Sequence, residues 1–300
     1  MSVPTVSVLL PVYNAEQYLD QALQSILNQT FTDFEVIAIN DGSTDRSEAI
    51  LSAYAQQDKR IKLISRPNAG LTPTLNEGLG VAQGQYIARM DSDDVAFPER
   101  FAKQVAFLEQ HPDCVVVGCR VMLIDSEGLD ITPFAQETEH DAIDNAMMSG
   151  QGGAICHPAA MMRCDAIRSI DGYRPELEPC EDRDLFLRLA EVGKLANLPD
   201  ILLQYRMHPK SIGHSRRESQ RLQGYRAVKD AHIRRGLKWE DPEVTDSPQR
   251  SVAELHEKWA WWALGSKNVG TARKHAMLSV RRQPLAASSW KVLLCAIRGY

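Results

Sequence analysis

The chain has 300 residues, 44% of them hydrophobic, and a formal net charge of −5. That length buries one large α/β core, or one catalytic domain with a smaller appendage, and the slight acidity gives no reason to expect nucleic acid as a partner. The charge is unevenly spread: Lys267, Arg273, Lys274, Arg281, Arg282, Lys291 and Arg298 make residues 266–300 +7 with no Asp or Glu, and taking that +7 from −5 leaves −12 on the remainder.

The N-terminal "MSVPTVSVLLPVY" lacks a basic n-region and a small-residue cleavage pattern, so it reads as a strand, "VSVLLPV" (6–12), and not as a signal peptide. "AEQYLDQALQSILNQ" follows at helical spacing, with Asn14 and Gln17 as a capping box. The cycle repeats with strand "FEVIAIN" (34–40), turn "DGST", helix "DRSEAILSAYAQQ" (45–57), strand "IKLIS" (61–65), helix "TPTLNEGLGVAQG" (72–84) and strand "QYIARM" (85–90). Strand, helix, strand in this order predicts a parallel sheet with right-handed crossovers. The last 85 residues read as helices over 216–236, 251–265, 271–282 and 285–299, with turn-rich "EDPEVTDSPQ" (240–249) as a boundary. Six cysteines are scattered without a C-x-x-C pair, which suggests reduced thiols in a cytoplasmic protein. No apolar run approaches the roughly 18 residues that a membrane span needs.

In open parallel sheets, ligands bind beyond the carboxyl ends of the strands. Those ends here carry "PVYNAE", "NDGSTD", "RPNAG" and "DSDD". Neither G-x-G-x-x-G nor G-x-x-x-x-G-K-[ST] is present, so the common dinucleotide and P-loop readings fail. Asp91, Asp93 and Asp94, crowded behind one strand, would repel unless they share a cation. An oxygen-only set suits Mg²⁺ or Mn²⁺, which complete their shells with phosphates and water. The same Asp-Ser-Asp-Asp turn could equally cap the helix beginning at Pro98.

The motifs "VSVLLPVYNAEQYLDQALQSILNQ", "NDGSTD", "RPNAGLTPTLNEGL", "ARMDSDD", "CEDRDLFLRLA" and "YRMHPKSI" occur in that order. Over roughly residues 5–215 the sequence resembles glycosyltransferase family 2, the inverting, sugar-nucleotide-dependent enzymes of the GT-A fold. The resemblance implies a mostly parallel sheet flanked by helices over 1–215, its nucleotide-binding half about 1–120 and its acceptor half about 121–215, with 216–300 as a C-terminal helical appendage. By the same resemblance, Pro11, Val12, Tyr13 and Asn14 pack on the base and ribose, and Asp41 reads the edge of a uracil. Arg66, Asn68, Gly70 and Asn76 continue the nucleotide pocket. Asp91 and Asp93 form the D-x-D clamp for Mn²⁺ or Mg²⁺ and the ribose-diphosphate, while Arg206, His208 and Ser211 meet the diphosphate and metal. Glu181 and Asp182 resemble the acidic pair near the acceptor, with Asp182 as catalytic base.

Each assignment has a plainer rival. Glu181 and Asp182 could simply favour a helix N-terminus, Asp41 could be a turn former, and His208 an ordinary loop histidine. His157 could lie in a buried strand, and Cys180 has a packing role by default. No Q-x-x-R-W segment follows the acidic pair, which implies transfer of a single sugar and not processive synthesis. The implied donor is a UDP-sugar, with GDP and dTDP open, and the acceptor a glycan or a lipid-linked hydroxyl in cell-surface polysaccharide, lipopolysaccharide or glycolipid synthesis. A catalytically silent sugar-nucleotide-binding module and a nucleotidyltransferase are the alternatives, the latter disfavoured because no Gly-rich, basic loop follows the first strand. The +7 segment either packs as a small helical pair or rests peripherally on an anionic inner-membrane face.

Overall fold

A computed structural model describes residues 3–134, 137–209, 217–240 and 250–299. The chain divides into two compact units, one of residues 1–121, 135–203 and 220–239, the other of 122–134, 204–219 and 240–300. The division drawn at 215–216 from the sequence cuts differently, because residues 220–239 gather with the first unit and 122–134 with the second.

The first half of the chain alternates β1 (Val6–Val12), α1 (Leu19–Leu27), β2 (Phe34–Asp41), α2 (Ser47–Gln57), β3 (Ile61–Arg66), α3 (Leu71–Val81) and β4 (Tyr86–Arg89). β1 and β2 are buried at every position, which is why they are mostly apolar and do not alternate; two of their buried polar exceptions, Ser7 and Glu35, meet each other, Ser7 Oγ donating to the Glu35 carboxylate at 2.6 Å. β1 pairs in parallel with β2 and with β4, and β2 with β3. The order β3-β2-β1-β4 places a topological switch between β1 and β4, where such sheets open a crevice.

Beyond β4 the sheet turns antiparallel. After β5 (Val95–Ala96) and α4 (Arg100–Gln110) come β6 (Cys114–Ile124), β7 (Asp130–Phe134), α5 (His140–Met148), β8 (Met161–Arg163), α6 (Cys164–Ser169), α7 (Glu181–Leu189) and β9 (Lys194–Arg206). β8 pairs antiparallel with both β4 and β6, and the full order is β3-β2-β1-β4-β8-β6-β9-β5, with β7 on β6. The core of the first unit joins Leu9, Ile37 and Ile87 of the sheet to Leu75 and Leu79 of α3 and Leu185 and Leu189 of α7. Each such side chain contributes about 1.5–3 kcal/mol on burial.

The expected capping box does not form. α1 starts only at Leu19 and has no side-chain cap, because the Asn14 amide oxygen accepts instead from the Thr44 N–H at 2.8 Å. α8 (Arg217–Arg234) belongs mostly to the first unit. All six cysteines are free, four of them buried.

In the second unit, α9 (Val252–Gly265) begins with a true capping box between Ser251 and Glu254, and α10 (Val269–Arg282) and α11 (Ala287–Arg298) follow. Its polar centre is Asp125, 1% exposed, which accepts from Lys274 at 2.6 Å and lies 3.2 Å from His275 Nε2. His275 meets His256, Nδ1 to Nδ1, at 3.0 Å. Burial works against the Asp125 carboxylate, yet the adjacent His275 ring, together with donation from Lys274 and the Leu129 and Glu127 N–H groups, outweighs it and holds the carboxyl well below the usual range. A lowered acid contributes stability above its unfolded pKa and loses it as the pH falls through the folded one. Asp125→Asn should therefore cost about 3 kcal/mol at neutral pH. The deficit should shrink below about pH 4, read by urea unfolding on Trp259, Trp261, Trp262 and Trp290. No described helix is long and apolar enough to cross a membrane.

Candidate functional site

The loops leaving β1 and β2 are stitched together. Asn14, in a left-handed conformation at φ 50, bonds Thr44 through its side chain and donates its backbone N–H to Ser43 Oγ at 3.0 Å, and the Ala15 N–H donates to Ser47 Oγ at 2.9 Å. Pro11 and Val12 end β1 opposite Ile39 and Asn40. Tyr13, 54% exposed, presents a ring beside them.

Asp41 closes β2 and is buried. One carboxylate oxygen accepts from Arg66 Nη1 and the Ala69 N–H, the other from Asn68 Nδ2 and the Gly70 N–H. A single acid thus fixes the loop that carries Arg66, Asn68 and Gly70. Arg66 also donates to Glu77 and Thr74; burial opposes its charge, but Glu77 and Asp41 outweigh that and raise its pKa. The turn needs glycine at 42, where φ is +70 and a Cβ would stand 2.5 Å from the Asn68 nitrogen. Gly42→Ala should cost about 1–2 kcal/mol from the left-handed backbone alone, with the clash adding to it; thermal unfolding checks it. Asn76 is engaged elsewhere, its amide bonding the Tyr173 carbonyl and N–H at 2.8 and 2.9 Å. It ties α3 to the turn before α7.

At the end of β4, one oxygen from each of Asp91, Asp93 and Asp94 lies within 4.8 Å of the others. Hard, oxygen-only donors at that spacing fit a divalent cation. Asp91 is ion-paired with Arg89, which is 2% exposed. Burial and then the Asp93 charge push the Asp91 carboxyl up, while Arg89 pulls it down. Arg89 itself is held charged, because Asp91, Tyr173 and Asp94 outweigh its desolvation. Arg100, fully buried, anchors this strand end by donating to the Arg89 carbonyl at 2.7 Å.

Glu181 and Asp182 open α7, in the turn where a helix favours negative charge. Glu181 is 5% exposed and its Oε2 has no hydrogen-bond partner. Burial, then the charges of Asp182 and Glu178, push its carboxyl up to about 8. Burial also raises Asp182, against the Arg183 N–H that bonds Oδ1 at 2.7 Å. The Asp182 charge reaches Asp91 and the Arg89 charge reaches both acids of the pair, so the two carboxylate groups share one electrostatic neighbourhood. The arrangement can hold a cation on one side and take up a proton on the other.

Arg206 and His208 lie in the second unit. Arg206 is buried and donates to the Asp125 carbonyl at 3.2 Å. Ser211 falls outside the described residues. No motif assigns Arg89 a role, although one cation inside the apolar "YIARM" is a visible anomaly in the sequence. His157 bonds the Tyr173 hydroxyl at 2.8 Å, and burial together with Arg89 holds the ring neutral. Cys180 is a packing residue whose thiol burial pushes up to about 12.

Residues 7–171 match the model of the glycosyl transferase family 2. Over 208 residues, 68% of this chain and 73% of the relative, the sequence is 38% identical to the "Putative glycosyltransferase EpsE" of Bacillus subtilis. Among solved structures, residues 1–349 of S. aureus TarS in complex with UDP-GlcNAc align with a TM-score of 0.60 at 18% identity, covering 98% of this chain and 92% of that one. The mannosyltransferase PcManGT from Pyrobaculum calidifontis, in complex with GDP-Man and Mn²⁺, aligns with a TM-score of 0.58 at 17% identity, covering 100% and 82%. At such identities the likeness is one of fold, and it places the α/β sheet among GT-A structures. With the family model covering more than half of the chain, the protein belongs to glycosyltransferase family 2 and is a glycosyltransferase.

Proposed function

We propose that the protein transfers one sugar from a UDP-sugar to a hydroxyl of a glycan or lipid-linked acceptor, with inversion at the anomeric carbon. The observation that carries the reading is the convergence of the Asp91-Asp93-Asp94 cluster with the Glu181-Asp182 pair in one electrostatic neighbourhood. Asp91 and Asp93 would hold Mn²⁺ or Mg²⁺, which when bound supplies positive charge to a departing diphosphate. PcManGT is in complex with GDP-Man and Mn²⁺, which supports the choice of ion.

The chain's own residues do the rest. The exposed Tyr13 ring offers a face for the base, and Asp41 shapes the pocket through the 66–70 loop. Both Asp41 oxygens are engaged, so reading a uracil edge would have Asp41 exchange one of these donors for the base. The resemblance adds Arg206, His208 and Ser211 as partners of the diphosphate. Asp182 accepts the proton of the attacking hydroxyl, its neutral neighbour Glu181 leaving it the single negative charge of the pair. Direct attack with one base inverts the centre. UDP is preferred on Asp41 alone; TarS is in complex with UDP-GlcNAc and PcManGT with GDP-Man, so the donor panel must include both.

A silent binding module would have no use for the acidic pair, and both acids are present. Incubation with UDP-, GDP- and dTDP-sugars and Mn²⁺, followed by nucleotide release, should single out one UDP-sugar. Release from none of them under any divalent metal would overturn the reading.

A further inference from the structure

We infer that the outer face of α10 and α11 is a docking surface for an anionic lipid bilayer. α11 is apolar on two sides. Ser289, Val292, Leu293 and Ala296 are buried, and yet Trp290, Leu294 and Ile297, spaced as one helical stripe, are 47%, 54% and 56% exposed. Leu285, just before the helix, is 98% exposed. A helix with a soluble outer face would carry polar residues there.

Basic residues border this stripe. On α10, Arg273, Met277 and Arg281 recur every four residues and are exposed. The two helices run antiparallel, since Arg273 donates to the Ala296 and Ile297 carbonyls at 3.0 and 2.9 Å while Ser279 meets Ser289 at 2.8 Å. The α10 stripe therefore adjoins the α11 stripe at the Arg273 end. Lys267, Arg281, Arg282, Lys291 and Arg298 are exposed too, and residues 266–300 contain no acid. Lys274 is paired with the acids Asp125 and Glu127, and Arg273 spends donors on the α11 carbonyls.

This combination selects the occupant. A second copy docking by the same face would set these cations against their own equivalents. A soluble polyanion satisfies the charge but leaves Leu285, Leu294 and Ile297 in water. A bilayer with acidic headgroups meets both needs, phosphates for the arginines and the acyl boundary for the apolar stripe, with Trp290 at the level where tryptophan concentrates. The surface deepens the proposed function by holding the enzyme where a lipid-linked acceptor resides, and rests on that reading only for its purpose.

The test is co-sedimentation of the full chain with phosphatidylcholine vesicles, with and without phosphatidylglycerol. Wild type should sediment with the acidic vesicles alone and be released by salt. Leu285→Ser/Leu294→Ser/Ile297→Ser should lose this binding, and Arg281→Ala/Arg282→Ala/Lys291→Ala should weaken it on the order of a hundredfold. Circular dichroism and nucleotide binding should be unchanged in both variants. Equal binding to neutral vesicles, no binding to acidic ones, variants that sediment like wild type, or a wild-type dimer that the leucine variant makes monomeric would each overturn the inference. None of these readouts needs catalysis, so failure of the enzymatic reading would leave a positive result standing.

Discussion

Asp182→Asn should transfer sugar about a thousandfold more slowly than wild type while binding nucleotide equally well. The side chain stands at the first turn of α7, and its Oδ1 is already oriented by the Arg183 N–H. Asparagine keeps that geometry and removes the proton acceptor, so the loss falls on kcat and not on donor affinity. Glu181→Gln should cost far less, because its role is to set the charge of the pair. The pH profile separates the two acids. Burial and mutual repulsion hold a proton on the pair well above the usual carboxylate range. For kcat/KM, activity should therefore rise with pH until the base is fully ionised, and Glu181→Gln, which is neutral as Glu181 is beside the ionised Asp182, should leave that limb where it is. Initial rates across the pH range read both effects; a limb that moves to lower pH in Glu181→Gln would show that Glu181 carries charge beside the base and contradict its neutral role.

The second large effect is expected at Asp93. Asp93→Ala should reduce kcat/KM on the order of a thousandfold and make the remaining activity insensitive to Mn²⁺. Asp91→Ala should be as damaging to rate and also destabilising. It strands Arg89, a fully buried guanidinium ion-paired with Asp91, and an uncompensated buried charge costs about 3–5 kcal/mol. Kinetics with increasing Mn²⁺, beside thermal unfolding of both variants, distinguishes the metal role from the folding role.

The parts of the fold readable in sequence are those with long, unambiguous runs. β1 and β2 are buried on both faces and so appear as nearly continuous apolar stretches, and the parallel topology they imply points to the residues at their ends. β8 has three residues and β5 two, neither long enough to carry a period; β6 and β9 are long, at 11 and 13 residues, but they join the parallel half only through β8, and the antiparallel half of the sheet stayed hidden for that reason. The capping box at Asn14 failed because its oxygen is taken by a residue thirty positions away, a competition that local sequence does not encode. Asp41 looked like a reader of bases, and its four donors from the 66–70 loop became visible only when β2 and β3 were set side by side. Arg89 went unread because its significance is its burial. The exposure of Trp290, Leu294 and Ile297 was likewise beyond reach, since a helix with two apolar faces does not say which one is covered.

The central claim is that the acids behind β4 form a cation-dependent nucleotide site, and calorimetric titration of UDP with and without Mn²⁺, on wild type and Asp93→Ala, tests it most directly. Binding that requires the metal in wild type and disappears in the variant is the predicted result. Binding of the same strength with and without metal, or in both proteins alike, would contradict it and reduce Asp91, Asp93 and Asp94 to a turn ahead of α4.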